Sequence, residues 1–108
     1  MNLADWKLRL RIGKIKTPFQ HYTIMLDGKV AEEMNLDCPI GNAWMSVKVW
    51  ALDDDMAGDM ACYIADDIGF KVKDSEHSVL IYDTQPQQPP RDKPYGYDIN
   101  FHPYSDDE

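Results

Sequence analysis

The stretch AWMSVKVWALDDDMAGDMACYIADDIG, residues 43–69, decides the fold class. Met45, Val47, Val49 and Ala51 share one parity, while Trp44, Ser46, Lys48 and Trp50 share the other. Successive strand side chains point to opposite faces, so Ala43–Ala51 reads as a strand with one apolar face. The aspartates that follow change the pattern. Asp53 or Asp54 can cap a helix, and carboxylates in a first turn suit its free amides and dipole. Met56, Met60, Tyr63, Ile64 and Ile68 then recur at helical spacing on one face. Gly58 costs such a helix about 1 kcal/mol relative to Ala, and Gly69 stands where a left-handed cap would end it.

Working outward, Trp6, Leu8, Leu10 and Ile12 alternate with Lys7, Arg9 and Arg11, so Trp6–Lys16 is expected to be a first strand. His21–Leu26 reads as a second, ended by the turn dipeptide Asp27-Gly28. Val30–Ile40 reads as a loop with a short helical turn. Beyond the helix, extended segments at Phe70–Lys73 and Val79–Asp83 flank a polar turn from Asp74 to His77. Tyr95–Phe101 alternates again and makes the last strand. The expected order is β-β-β-α-β-β: an α+β fold with a mostly antiparallel sheet of about five strands and one helix packed on one face. Residues 1–104 form one domain, and 105–108 form an acidic C-terminal tail.

The chain has 108 residues, 44% of them hydrophobic and 28% charged, with a net charge of -8. That size suits one domain. Such acidity argues against nucleic acid as the main partner, since a phosphate backbone must be neutralised by cations, and against anionic membranes. The charge is uneven. Residues 1–30 hold six cations and two acids, and the remainder holds five cations and seventeen acids. The opening Met1–Trp6 lacks the basic and apolar runs of a signal peptide. Both cysteines, Cys38 and Cys62, read as reduced thiols. The expected location is cytoplasmic.

One helix cannot cover both faces of the sheet. Leu8, Leu10, Ile12, Ile24, Leu26, Val47, Val49, Ile99 and Phe101 are expected to face it. Arg9, Arg11, Trp44, Lys48, Trp50, Asp98 and His102 fall on the open face and form the candidate interaction surface. Two tryptophans there are costly to leave in water, since each can bury about 150–250 Å². Two readings stand: a covering segment or a bulge hides them, or the face binds protein. Asp83–Pro94, with Pro86, Pro89, Pro90 and Pro94, has polyproline character and is too long for a hairpin turn, which suggests a wall or crossover before the last strand. Tyr95 and Tyr97 are expected on the core side.

Familiar chemistry is missing. His21, His77 and His102 are not at zinc-ligand spacing. Asp53-Asp54-Asp55 with Asp59 does not place oxygens as a calcium loop does. The glycines are scattered, so no phosphate loop forms. No catalytic residue, metal or cofactor is expected. The sequence therefore points to a non-catalytic protein-interaction module using the open face, for itself or a partner protein. Two alternatives remain: an inhibitor or immunity-type protein blocking a basic target such as a nuclease, and a small enzyme or ligand binder with the Pro-rich loop as a lid over Asp98 and His102.

Overall fold

In the computed structural model, which describes residues 4–13, 16–30, 40–74 and 77–104, two long strands carry the sheet. The element order is α1 (Ala4–Arg11), β1 (Gln20–Val30), β2 (Gly41–Ala51), α2 (Asp54–Ile68), β3 (Phe70–Val72), β4 (Val79–Asp83) and β5 (Tyr95–Pro103). The fold is α+β, with five antiparallel strands in an open sheet and the long helix packed on one side. β1 pairs along its whole length with β2, from Gln20 opposite Ala51 to Val30 opposite Gly41. β5 lies on the free edge of β2. β3 and β4 both lie along the other edge of β1, against Gly28–Val30 and Tyr22–Leu26 respectively. They act as one edge strand interrupted between Val72 and Val79. Asp27 spans that gap, donating its N–H to the Ser78 carbonyl and accepting the Lys73 N–H.

The core lies between the sheet and α2. Ile24, Leu26, Val30, Met45, Val47, Val49 and Phe70 are buried there. Ala57, Ala61 and Ala65 recur every four residues and are fully buried, so the helix sits close on the strands. Asp53 caps α2, its Oδ1 accepting the Met56 N–H at 2.8 Å, and Gly69 ends it at φ 88°. Among the described residues, no helix is long and apolar enough to cross a membrane.

Several expectations are corrected. Trp6–Lys16 is not a strand: Ala4–Arg11 is helical. Leu, Arg and Lys are all good helix formers, and a period-two pattern on a helix scatters its apolar residues around the axis. Leu8 and Ile12 are consequently exposed, not core. Arg9 and Arg11 therefore lie on α1 and not on the sheet. Asp27-Gly28 is no turn, since β1 runs through it to Val30. Gly28 answers a close approach instead: a Cβ there would lie 2.4 Å from the Lys71 carbonyl oxygen. Tyr63 points outward from α2, because the small residues take the face against the sheet. Most of the expected loop at 30–40, Cys38, part of the Asp74–His77 turn and the 105–108 tail lie outside the described residues.

Candidate interaction surface

Parity along the two central strands defines the face away from α2. On β2 it carries Trp44, Ser46, Lys48 and Trp50, and the register sets Asp27, Met25, Thr23 and His21 of β1 opposite them. Leu80 and Tyr82 of β4 join it, paired with Met25 and Thr23. On β5 the alternation breaks. Ser46 pairs with Asn100 and Lys48 with Tyr97, so Asp98 and Ile99 together oppose the one residue between them. This is a β-bulge, and Asp98 takes φ 58°, a conformation that Asp tolerates better than most residues. A bulge was one way to hide a tryptophan; it occurs on β5 and redirects a tyrosine. The extra residue carries Tyr97 to the open face while leaving Phe101 in contact with the core. Tyr95 and Tyr97 thus lie on the side away from α2, and Ile99 is exposed, both against expectation. Gly96 lies between them under α2, where a Cβ would approach Ile64 Cδ1 to 2.8 Å.

The Pro-rich segment 84–94 runs from β4 at one edge to β5 at the other and covers one end of this face. Trp50 is 2% exposed. Its indole N–H donates to the Gln88 carbonyl at 2.9 Å, and His21 meets the ring edge-on at 5.1 Å. Trp50 is therefore withdrawn from the candidate surface: it seats the loop. Tyr97 Oη accepts the N–H groups of Gln87 and Gln88 at 3.0 and 3.3 Å. With both acceptor positions taken, its own hydrogen goes to His21 Nε2, 2.7 Å away. His21 Nδ1–H then donates to the Thr84 carbonyl at 3.1 Å, with the Thr84 hydroxyl at 3.0 Å. Only the neutral Nδ1–H tautomer satisfies every partner. Burial pushes the His21 pKa below its ordinary value, the Thr84 carbonyl opposes this, and Lys48 adds to the lowering. Tyr95 donates its hydroxyl to the Pro89 carbonyl, and Arg91 stacks 4.1 Å over its ring.

The other end is tied by the segment after β5. Tyr104 donates its hydroxyl to Asp27 Oδ1, and Lys73 donates to Tyr104 while lying 3.5 Å from Asp27. The bond to Asp27 is the main reason the Tyr104 hydroxyl holds its proton above its ordinary pKa.

Between these ends lies the part of the face that neither segment covers. Lys48 and Asp98 form an ion pair at its centre. The Lys48 hydrogen bond, then that from Asn100 Nδ2 at 3.0 Å, hold the Asp98 carboxyl below its ordinary pKa. His102 Nε2 reaches Ser46 Oγ at 3.5 Å. Trp44 is half-buried and Tyr82 exposed. The structure thus brings together four of the seven expected residues: Trp44, Lys48, Asp98 and His102. Sequence reasoning missed Tyr82, Met25 and Leu80 here and His21, Thr84 and Tyr97 under the loop. Val79–Asp83 reads as extended, so strand parity alone sets Leu80 and Tyr82 on one face; the bulge that redirects Tyr97 left no such signal. Among the described residues, no group of three or more His, Cys, Asp or Glu side chains gathers to hold a metal. No family model, curated protein or solved structure matches the chain.

Proposed function

We propose that this chain is a non-catalytic interaction domain that presents the uncovered middle of its sheet face to a partner protein. The supporting observation is the exposed Tyr82 standing with Met25, Leu80 and half-buried Trp44 around the Lys48–Asp98 pair, on a sheet face that α2 does not cover. Aromatic and long apolar side chains around a few charges are what protein interfaces use for affinity and register. The inhibitor reading has less behind it. Two acids of this face, Asp27 and Asp98, are already paired with Lys73 and Lys48, so they are poorly placed to mimic free phosphates. The lid reading is also weaker. Segment 84–94 rests directly on Trp50 and Tyr97, while Asp98 and His102 bond to β2.

The test is a photo-cross-linking residue placed at Tyr82, with the exposed Asp55 of α2 as the control position. A discrete adduct to another protein from position 82, weakened by Trp44→Ala and absent from position 55, supports the reading. The same adducts from both positions, or none from 82, refute it.

A further inference from the structure

Among the described residues, helix α1 makes no packing contact with a strand or with α2. It borders a recess of about 490 Å³ formed by Lys7, Leu10 and Arg11 with Gln85 and Pro86 of the loop. Leu8 and Ile12, the residue just past the helix end, lie one turn apart, the Ile12 N–H donating to the Leu8 carbonyl at 3.0 Å, and remain 54% and 56% exposed. Lys7, Arg9 and Arg11 surround them. An exposed apolar stripe set among cations is a surface without its counterpart.

The counterpart is on α2. A groove of about 500 Å³ lies where this helix meets β5, lined by Met60, Tyr63, Ile64 and Gly96, with Asp59 at its margin. Tyr63 stands 75% exposed beside it. The helix carries five aspartates and no cation: Asp54, Asp55, Asp59, Asp66 and Asp67. Asp59, Asp66 and Asp67 fall within one turn of Tyr63, so an apolar floor is rimmed by negative charge. The two surfaces complement each other in both respects, apolar against apolar and basic against acidic. They do not meet within one chain, because α1 sits by the loop and has no packing contact with α2.

We propose that the groove on α2 receives the Leu8–Ile12 stripe of α1 from a second copy of the chain, each copy lending its N-terminal helix to the other. The exchange closes a symmetric pair, since each subunit supplies one arm and one groove. The groove lies on the α2 side of the sheet and the arm beside the loop over one end of the open face, so the exchange leaves the uncovered middle of that face free and stands whether or not it binds a partner. The aspartate rim makes the association salt-sensitive.

Sedimentation velocity of the full chain, over a concentration series reaching the millimolar range, tests this. The expected result is a monomer–dimer equilibrium that shifts toward monomer as salt is raised. Leu8→Asp with Ile12→Asp removes the arm, and Tyr63→Asp fouls the groove; both sites are exposed, and circular dichroism confirms that each variant folds. Each variant alone is expected to dimerise at least about tenfold more weakly than the parent. Mixed together, they regain one intact arm–groove contact, and a heterodimer forms that neither variant forms with itself. A chain that is monomeric throughout overturns the proposal. So does a dimer that survives either substitution, a mixture that fails to associate, or a dimer lost on Tyr82→Asp but unaffected by the arm and groove variants.

Discussion

Removing the Tyr97 hydroxyl is the sharpest perturbation of this fold, because one oxygen serves three partners. In Tyr97→Phe the Gln87 and Gln88 amides lose their acceptor, but both residues are exposed and can turn to water. The cost falls on His21. The residue is 7% exposed, and Nε2 faces the site from which the hydroxyl hydrogen has been taken. A buried acceptor left without a donor costs about 1–3 kcal/mol. For a domain of this size each kcal/mol lowers Tm by about 4–8 °C, so a fall of roughly 5–20 °C is expected. Two measurements separate a general loss from a lifted loop. Thermal unfolding followed by circular dichroism gives the stability. Hydrogen exchange at the Trp50 indole N–H, which bonds the Gln88 carbonyl, reports the loop. The loop reading requires indole protection to fall more than protection of the β1–β2 amides. A stability change under about 0.5 kcal/mol, the level of an ordinary surface substitution, with the indole still protected would refute the network.

Further outcomes follow from the same geometry. His21 is held below its ordinary 6.5, so the unfolded chain takes up a proton before the folded one does. Stability is whole above that ordinary value, declines as pH falls from it toward the lowered native value, and is flat below; denaturant titrations at stepped pH should show this limb, and His21→Gln should lack it. Asp98 is lowered by Lys48 and Asn100, and its contribution is lost only as pH falls below its ordinary 3.8, outside the histidine limb. At φ 58°, Asp98→Asn keeps a side chain that tolerates the left-handed region, whereas Asp98→Ala adds a backbone cost of about 1–2 kcal/mol; equal denaturation midpoints for the two would contradict the bulge assignment. Gly96→Ala meets the movable tip of Ile64 and should cost about 1–3 kcal/mol, while Gly28→Ala meets the Lys71 backbone and should cost more, both read from chemical denaturation.

The parts of this fold that were legible in the sequence are those where burial and local pattern agree. β2 alternates because one side is under α2, and α2 shows its cap residues and a helical spacing at once. The rest turned on tertiary facts. The alternation of Trp6–Ile12 is as regular as that of β2, yet both central strands already have partners on each edge and the segment is helical. Asp27-Gly28 has turn chemistry, but Gly28 is there because Phe70 and Lys71 come so close. Parity placed Trp44, Lys48, Asp98 and His102 on the open face correctly. It could not tell Trp44 from Trp50, because only the path of 84–94 decides which tryptophan is covered.

That path also explains the kind of residues beneath it. A segment crossing a sheet face must find partners for its backbone groups away from water. Pro86, Pro89, Pro90 and Pro94 have no N–H to satisfy. The amides of Gln87 and Gln88 go to Tyr97, and the carbonyls of Gln88 and Pro89 go to Trp50 and Tyr95. Each aromatic under the loop offers an apolar body to the sheet and a polar tip to the crossing backbone. Trp50, Tyr95 and Tyr97 are therefore accounted for by the loop, and their number is no argument for an interface. Tyr82 and Trp44 are different. The crossing segment hydrogen-bonds to Trp50, Tyr95 and Tyr97 and not to these two, and Tyr82 stands exposed on the edge strand β4. The case for a partner surface rests on these two side chains, and it is stronger for having lost the third.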